Sequence, residues 1–409
     1  MKSFWKIIGE DMKRFLISKT PFVRSVDAGS MSTTRMMYDV IVALFPITLF
    51  GFVINGLIPF INGELQNVYY LLKPFLNVII GILFSLIFEA LYLVIFKKVR
   101  GWKNILSEVH YSFGFITGAL ISLLLPVRIP LYVIIVGCFI GNILFKMLFG
   151  GLGKNIFNPA LMAYILCYII FSKIISQSLS EQITILSNTL NITANSTPLA
   201  AMFKLTEYIN YSKVNADTLI GQFGSLINLF IGFKGGSLGD VSGLLCLLAY
   251  IYLVVRKTIN WRVPIIYVGT VFIICWAVAV ANGIEGDLFG IWFPLYNIFS
   301  GSLLFCAVFV ATEPVTTPRT PNGKIIFAII LGIITFIPTQ EKANSGDGFI
   351  HKIAGFKVNY VFVIAMAIAF GELGDKTFLA SLGLGINYPD YRLWLVLGSV
   401  LGMIVSNLF

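Results

Sequence analysis

Three groups of residues in this chain have the types and spacing to do chemistry. The first is the loop Phe149-Gly150-Gly151-Leu152-Gly153-Lys154-Asn155-Ile156-Phe157-Asn158-Pro159-Ala160. Glycines at 150, 151 and 153 allow positive φ and close backbone approach to a ligand. Asn158-Pro159 reads as a cap and first position of a helix. A helix N-terminus beside Lys154 and Asn155, with free N–H groups, suits an anion such as a phosphate; a plain tight turn would use the same residues. The second group is the carboxylates in or beside apolar sequence: Glu89, Glu108, Asp240 and Glu313. A carboxylate in apolar surroundings is costly and therefore a functional candidate. Glu89, deep within Phe75–Phe96, is the strongest, although a hydrogen-bonded place at a helix-packing face would also explain it. The third is Glu372 and Asp375, three residues apart and so on one helical face, with oxygen ligands that suit a hard metal cation.

The elements that must position these groups follow from composition. The chain has 409 residues, 57% of them apolar and 12% charged, with a mean hydropathy of +0.89. Soluble domains carry about 25% charge, so a soluble enzyme, a secreted disulfide scaffold and a disordered tail are all excluded. The fold expected is an all-α polytopic membrane protein. Runs near the ~20 residues needed to cross a bilayer are Tyr38–Leu57, Phe75–Phe96, Tyr111–Leu125, Pro130–Phe149, Pro159–Phe171, Ser242–Val255, Val263–Asn282, Leu288–Ala311 and Ile325–Pro338. Val358–Phe370 and Leu393–Phe409 bring the expectation to ten to eleven transmembrane helices. Short or Gly/Pro-interrupted runs are expected where broken helices line a site. Cys138, Cys167, Cys246, Cys275 and Cys306 all fall in apolar runs and read as small core residues. Two histidines, His110 and His351, are too few for a zinc site.

The net charge of +10 reads as orientation rather than nucleic-acid binding, since Lys and Arg collect in cytoplasmic loops. Lys97, Lys98, Arg100 and Lys103, then Lys146 and Lys154, then Arg256, Lys257 and Arg262, then Arg319 and Lys324 all fall on the same side as the basic N-terminus. That places the N-terminus in the cytoplasm and the long polar stretch Ser172–Asp240 outside. Five segments are thereby expected: a cytoplasmic stretch over 1–36, a first five-span half over 37–171, an outer segment over 172–240, a second half over 241–340 and a C-terminal extension over 341–409. An odd number of spans per half makes the repeat inverted.

The run FGGLGKNIFNPALMAY (149–164) resembles a signature of the RnfD/NqrB family, membrane subunits of Rnf and of sodium-pumping NADH:quinone oxidoreductase. SLGDVS (237–242), RKTINWRVP (256–264) and ATEPVTTPRTPNGK (311–324) agree with it in the same order. The resemblance covers about residues 20–340, and the last two stretches lean towards RnfD. It implies a urea-transporter-like inverted repeat of five spans in a bacterial cytoplasmic membrane. It also implies FMN bound covalently through its phosphate to a threonine of the outer segment, with a second flavin as a further expectation. Thr197 falls on the acceptor, followed by matching Pro198 and Leu199, while Ala194, Asn195 and Ser196 depart from the family's residues; Ser196, also a cofactor-binding candidate, and Thr193 are rival hydroxyls. Under this resemblance Gly150, Gly151, Gly153, Lys154, Asn155 and Asn158 become flavin or phosphate contacts, and Glu89, Asp240 and Glu313 become candidates for the Na+ or H+ pathway. The partners implied are Rnf subunits of the A, B, C, E and G types and the lipid bilayer, with no nucleic acid. Electrons are relayed through such a subunit, because the chain has neither an iron–sulfur cysteine pattern nor a dinucleotide-binding glycine unit.

Beyond residue 340 the likeness changes. Gly371-Glu372-Leu373-Gly374-Asp375-Lys376-Thr377 resembles the Glu-x-Gly-Asp-Lys-Thr signature of a family of manganese/calcium–proton exchangers. That family carries the motif twice and this chain once. A functional fusion, pairing of half-modules between two chains, and a gene junction without function are the three explanations. A flavin-free solute channel of urea-transporter type is the alternative reading of the main part.

Overall fold

The computed structural model describes residues 33–190, 216–223, 225–281, 284, 290–318 and 320–344. Thr197 and its neighbours Ser196, Pro198 and Leu199, and the pair Glu372 and Asp375, lie outside the described residues. Among those described there is no strand, only a bridge between Pro126 and Ser237. The helices are α1 (Thr33–Phe52, continued by a π-helical turn Val53–Leu57 and Ile58–Ile61), α2 (Val68–Ile95), α3 (Trp102–Ser112), α4 (Gly114–Leu124), α5 (Leu131–Phe139, continued as a π-helix Ile140–Met147), α6 (Pro159–Ile170) and α7 (Ser172–Leu190). After them come α8 (Leu226–Ile231), α9 (Gly243–Val255), α10 (Arg262–Ala281), α11 (Trp292–Ser300), α12 (Leu303–Phe305, continued as a π-helix Cys306–Val310) and α13 (Pro321–Asn344).

Three of these helices are long and apolar enough to cross a membrane, or up to five if each bent pair counts as one span; α4, α5, α9 and the first part of α13 are shorter apolar helices. Of the ten to eleven expected spans, Val358–Phe370 and Leu393–Phe409 lie outside the described residues; the others are met in part, for identifiable reasons. The run Tyr111–Leu125 yields only the 11-residue α4, because Phe113 takes a left-handed conformation (φ 54°) that separates it from the amphipathic α3. Leu288–Ala311 becomes α11 and α12, bent by 71°. The polar stretch after Phe171 is not all loop. It opens with α7, a 19-residue helix turned 95° from α6. Ile175, Ser178, Gln182, Leu186 and Thr189 form its buried face, at the three- and four-residue steps of one helix face. The outward faces are apolar, as at Val42, Phe45 and Leu49 of α1 and Ile79, Leu83 and Ile87 of α2. The polar groups point inward, the arrangement that lipid solvent requires.

The centre is organised by α2. Its buried face reads Lys73, Asn77, Gly81, Ser85, Glu89 and Leu93, one residue every fourth position. This polar stripe meets α5 running parallel to it: Cys138 Sγ donates to the Gly81 carbonyl at 3.3 Å, Asn142 Nδ2 to Ser85 Oγ at 2.8 Å and Lys146 Nζ to Glu89 Oε1 at 2.6 Å. Against α4, running antiparallel, Ser122 Oγ donates to the Asn77 carbonyl at 2.9 Å. The backbones of α2 and α4 touch at Gly81 and Gly118, where a Cβ on Gly81 would stand 2.6 Å from the Gly118 carbonyl oxygen. Small residues that let helices approach, joined by polar side chains, are the usual basis of packing in lipid.

This contact leaves no room for a side chain. Gly118→Val therefore lowers the melting temperature of the purified protein sharply, since overpacking of this kind costs about 1–3 kcal/mol or more. Gly269→Ala, with nothing within 4 Å of the new methyl, leaves it nearly unchanged. Equal melting temperatures for the two variants would contradict the packing described.

Candidate functional site

Two loops that sequence reasoning singled out separately meet in space. At the end of α5 the chain turns through Gly150, Gly151 and Gly153, at φ values of 104°, 90° and 86°. The Gly151 N–H donates to the Lys146 carbonyl at 2.9 Å, so this turn closes on α5 itself. Lys154 is exposed, its stem lying over Gly150. Asn158 caps α6, its Oδ1 accepting from the Ala160 and Leu161 N–H groups at 3.0 and 3.2 Å. Those are N–H groups an anion would have needed, so a phosphate cradle at this helix end is not what the loop builds. The loop instead delivers Asn155. Buried Asn155 donates through Nδ2 to the Phe157 carbonyl at 3.1 Å and to Glu313 Oε1 at 3.4 Å.

Glu313 is held from its own side by the threonines that follow. Thr316 Oγ1 donates to Glu313 Oε2 at 3.1 Å, and Thr317 donates to the Glu313 carbonyl through both its N–H and its hydroxyl. Burial pushes the Glu313 carboxyl up to about 7, against the downward pull of Thr316, Asn155 and Lys146. Near neutral pH this carboxyl therefore stands between its two protonation states. Between the loops lies a cavity of about 70 Å³ whose polar lining includes Lys146, Asn155, Asn158, Thr258, Thr312 and Glu313. A water needs roughly 10–15 Å³ of such volume. The cavity has room for a few waters or a small cation.

Behind Lys146 stands Glu89, with no exposed surface. Lys146 also donates to the Ser112 carbonyl at 2.6 Å, a group freed from helical bonding by the break at Phe113. The second carboxylate oxygen of Glu89 is buried without a partner among the described residues and crowds Gly114. On another wall, Thr258 Oγ1 donates to Asp39 Oδ2 at 3.0 Å, and Arg256 Nη2 meets Asp39 Oδ1 at 3.0 Å. Residues from the 149–164, 256–264 and 311–324 stretches thus converge on one cavity, with Glu89 one side chain behind it. Asp240 stands apart. It pairs with Lys234 at 3.1 Å and accepts from Ser302 at 3.5 Å, while Lys234 also donates to the Phe299 carbonyl. Burial pushes Asp240 up to about 6 against the pull of Lys234 and Ser302.

The matches with known proteins run through these stretches. A family model described as NQR2, RnfD, RnfE matches residues 16–353. The chain belongs to this family. It is 32% identical to the D-type subunit of the proton-translocating ferredoxin:NAD(+) oxidoreductase complex of Clostridium ljungdahlii, over 83% of this chain and 90% of that one. It is 28% identical to the D-type subunit of the Na(+)-translocating ferredoxin:NAD(+) oxidoreductase complex of Acetobacterium woodii, over 78% and 84%. With the B-type subunit of the Na(+)-translocating NADH-quinone reductase of Chromohalobacter salexigens it shares 28% identity over 61% and 58%. Residues 360–409 match a second model, the divalent cation/proton antiporter GDT1. The NQR2, RnfD, RnfE match spans both cavity loops and stops before Glu372 and Asp375.

Lys146, Asn142, Ser85 and Asp39 were missed as site residues by sequence reasoning. The four-residue repeat Asn77, Gly81, Ser85, Glu89 and its counterpart Cys138, Asn142, Lys146 were visible signals that these two helices share a polar seam. Removing one member of a buried ion pair costs about 3–5 kcal/mol, whereas replacing both by apolar residues is often neutral. Glu89→Gln therefore lowers the melting temperature markedly, and Glu89→Leu combined with Lys146→Met recovers most of it. A double variant no more stable than the single one would show that the pair is not the unit described.

Proposed function

We propose that this chain is the D-type membrane subunit of an Rnf-like complex that moves electrons between ferredoxin and NAD and couples the transfer to Na+ or H+ translocation. The observation that carries this reading is the convergence on one cavity of three stretches from a chain matched to the family over residues 16–353. Its relatives are named as subunits of ion-translocating oxidoreductase complexes. Asn155 and Glu313 hold the two loops together across the cavity. Glu313, able to gain or lose a proton near neutral pH, and Glu89, paired to Lys146 behind the wall, are the groups we assign to the ion pathway. Asp240 is assigned to the same task from its separate place. The basic residues at this end of the helices mark it as cytoplasmic by the positive-inside rule, with α7 at the outer end.

The flavin belongs to the outer segment in this reading. FMN held through its phosphate on Thr197 would supply the electron-accepting and electron-donating chemistry that no side chain offers. The residue before a proline is biased towards extended backbone and away from helix, and Thr197 precedes Pro198. In this reading Gly150, Gly151 and Gly153 shape the turn that carries Asn155 to the cavity, with Lys154 exposed beside it. Coexpressed with a flavin-transferring enzyme, the purified chain should keep a yellow absorption band after denaturation. Mass spectrometry should place the adduct on Thr197, and Thr197→Val should abolish it. A colourless denatured wild-type chain, or a band retained in Thr197→Val, would contradict covalent attachment there.

A further inference from the structure

Most cations drawn into the described part of this protein are matched to carboxylates. Lys146 sits on Glu89, Lys234 on Asp240 and the more open Arg256 on Asp39. Lys73 and Arg128 are deeply enclosed, 5% and 4% exposed, yet among the described residues no carboxylate comes within ion-pair distance of either. Lys73 Nζ donates to the Arg128 carbonyl at 2.8 Å, which draws the two side chains' charges into one neighbourhood. Among the described residues Arg128 donates once, from Nη2 to the Asn55 carbonyl at 3.3 Å, and its buried Nε and Nη1 meet no acceptor. Neighbouring polar groups are already engaged: Gln182 Nε2 donates to Asn55 Oδ1 at 2.8 Å and Gln182 Oε1 accepts from the Val127 N–H at 3.2 Å. Glu181, exposed on α7, attracts both cations from beyond ion-pair distance.

Two adjacent buried cations with two unused guanidinium donors are costly unless an anion completes them. The guanidinium fork matches phosphate oxygens two at a time. The surroundings indicate where that phosphate comes from. The Tyr70 ring stands 5.2 Å from the Arg128 guanidinium and 5.6 Å from Lys73 Nζ. Tyr70 is itself exposed, as are Val68, Tyr69 and Leu72 beside it. Exposed tyrosines and aliphatics at the start of a spanning helix are the pattern found at lipid-headgroup depth. The exposed Tyr70 ring thus lies between the buried cations and that layer. We propose that Lys73 and Arg128 form a binding site for the phosphate of an anionic phospholipid headgroup. The site lies at the end of α2 opposite the cavity, since Lys73 precedes Glu89 by sixteen residues, about 24 Å of helix.

The test uses the full-length purified protein, stripped of lipid in detergent and then titrated with phosphatidylglycerol, phosphatidylcholine or inorganic phosphate. Bound lipid is read by native mass spectrometry and stabilisation by melting temperature. Phosphatidylglycerol should bind and stabilise at concentrations at which phosphatidylcholine does not. Arg128→Gln should weaken it by about tenfold or more, the loss expected when charge-assisted hydrogen bonds are removed, while Arg128→Lys retains part of the effect. Should Arg128→Gln fail to fold, Lys73→Met and the wild-type comparison of the two lipids serve instead. Equal stabilisation by inorganic phosphate alone supports the anion site and assigns it to free phosphate. Equal binding of both lipids with no effect of phosphate, or phosphatidylglycerol binding unchanged in the charge-removing variants, overturns the proposal.

Discussion

The structure depends on satisfying the polar stripe of α2 without water. A helix that carries Asn77, Ser85 and Glu89 on one face cannot show that face to hydrocarbon, because each unmatched polar group there would cost several kcal/mol. The stripe is therefore covered on one side by α4, through the Gly81–Gly118 contact, and on the other by α5, through Cys138, Asn142 and Lys146. Both neighbours are fixed in register as well as position, since each polar group on α2 meets its counterpart one turn at a time.

That fixed register leads to the site. Because Lys146 must meet Glu89, the π-helical end of α5 is held against α2 and α3, and the glycine turn starts from a defined point. The turn then carries Asn155 to Glu313, and the threonines after Glu313 fix the opposing loop. π-Helical segments recur at functional sites in many proteins, and here one of them bears the lysine that borders the cavity. Elements far apart in sequence (α5 and the loop after α12) thus become one unit, with a charge that can change near neutral pH at their junction.

Much of this was legible in the sequence. Apolar runs placed α5, α6, α9 and α10 closely, and the end of α2, because a lipid-facing helix needs a nearly unbroken apolar run. The Asn158-Pro159 start of α6 followed from capping chemistry. The breaks were harder to read. Phe113 in a left-handed conformation and the 71° bend between α11 and α12 are breaks of one or a few residues, and a hydropathy average runs across both. The partners of Glu89 and Glu313 were hidden for a related reason. Lys146 read as a loop charge marking orientation, and only the shared register of α2 and α5 shows that it is enclosed by the helices. The meeting of the glycine loop with the Thr-Pro-rich loop is a contact between residues 158 positions apart, which no local pattern encodes.

The central claim is that the Asn155–Glu313 junction couples charge movement to electron transfer. The most direct measurement is ion transport per electron transferred in proteoliposomes holding the complete complex, with Glu313→Gln in this subunit. Electron transfer from ferredoxin to NAD should continue at a reduced but measurable rate, and ions moved per electron should fall severalfold across pH 6–8, the range around the Glu313 value of about 7. An unchanged ratio of ions to electrons throughout that range would contradict the account.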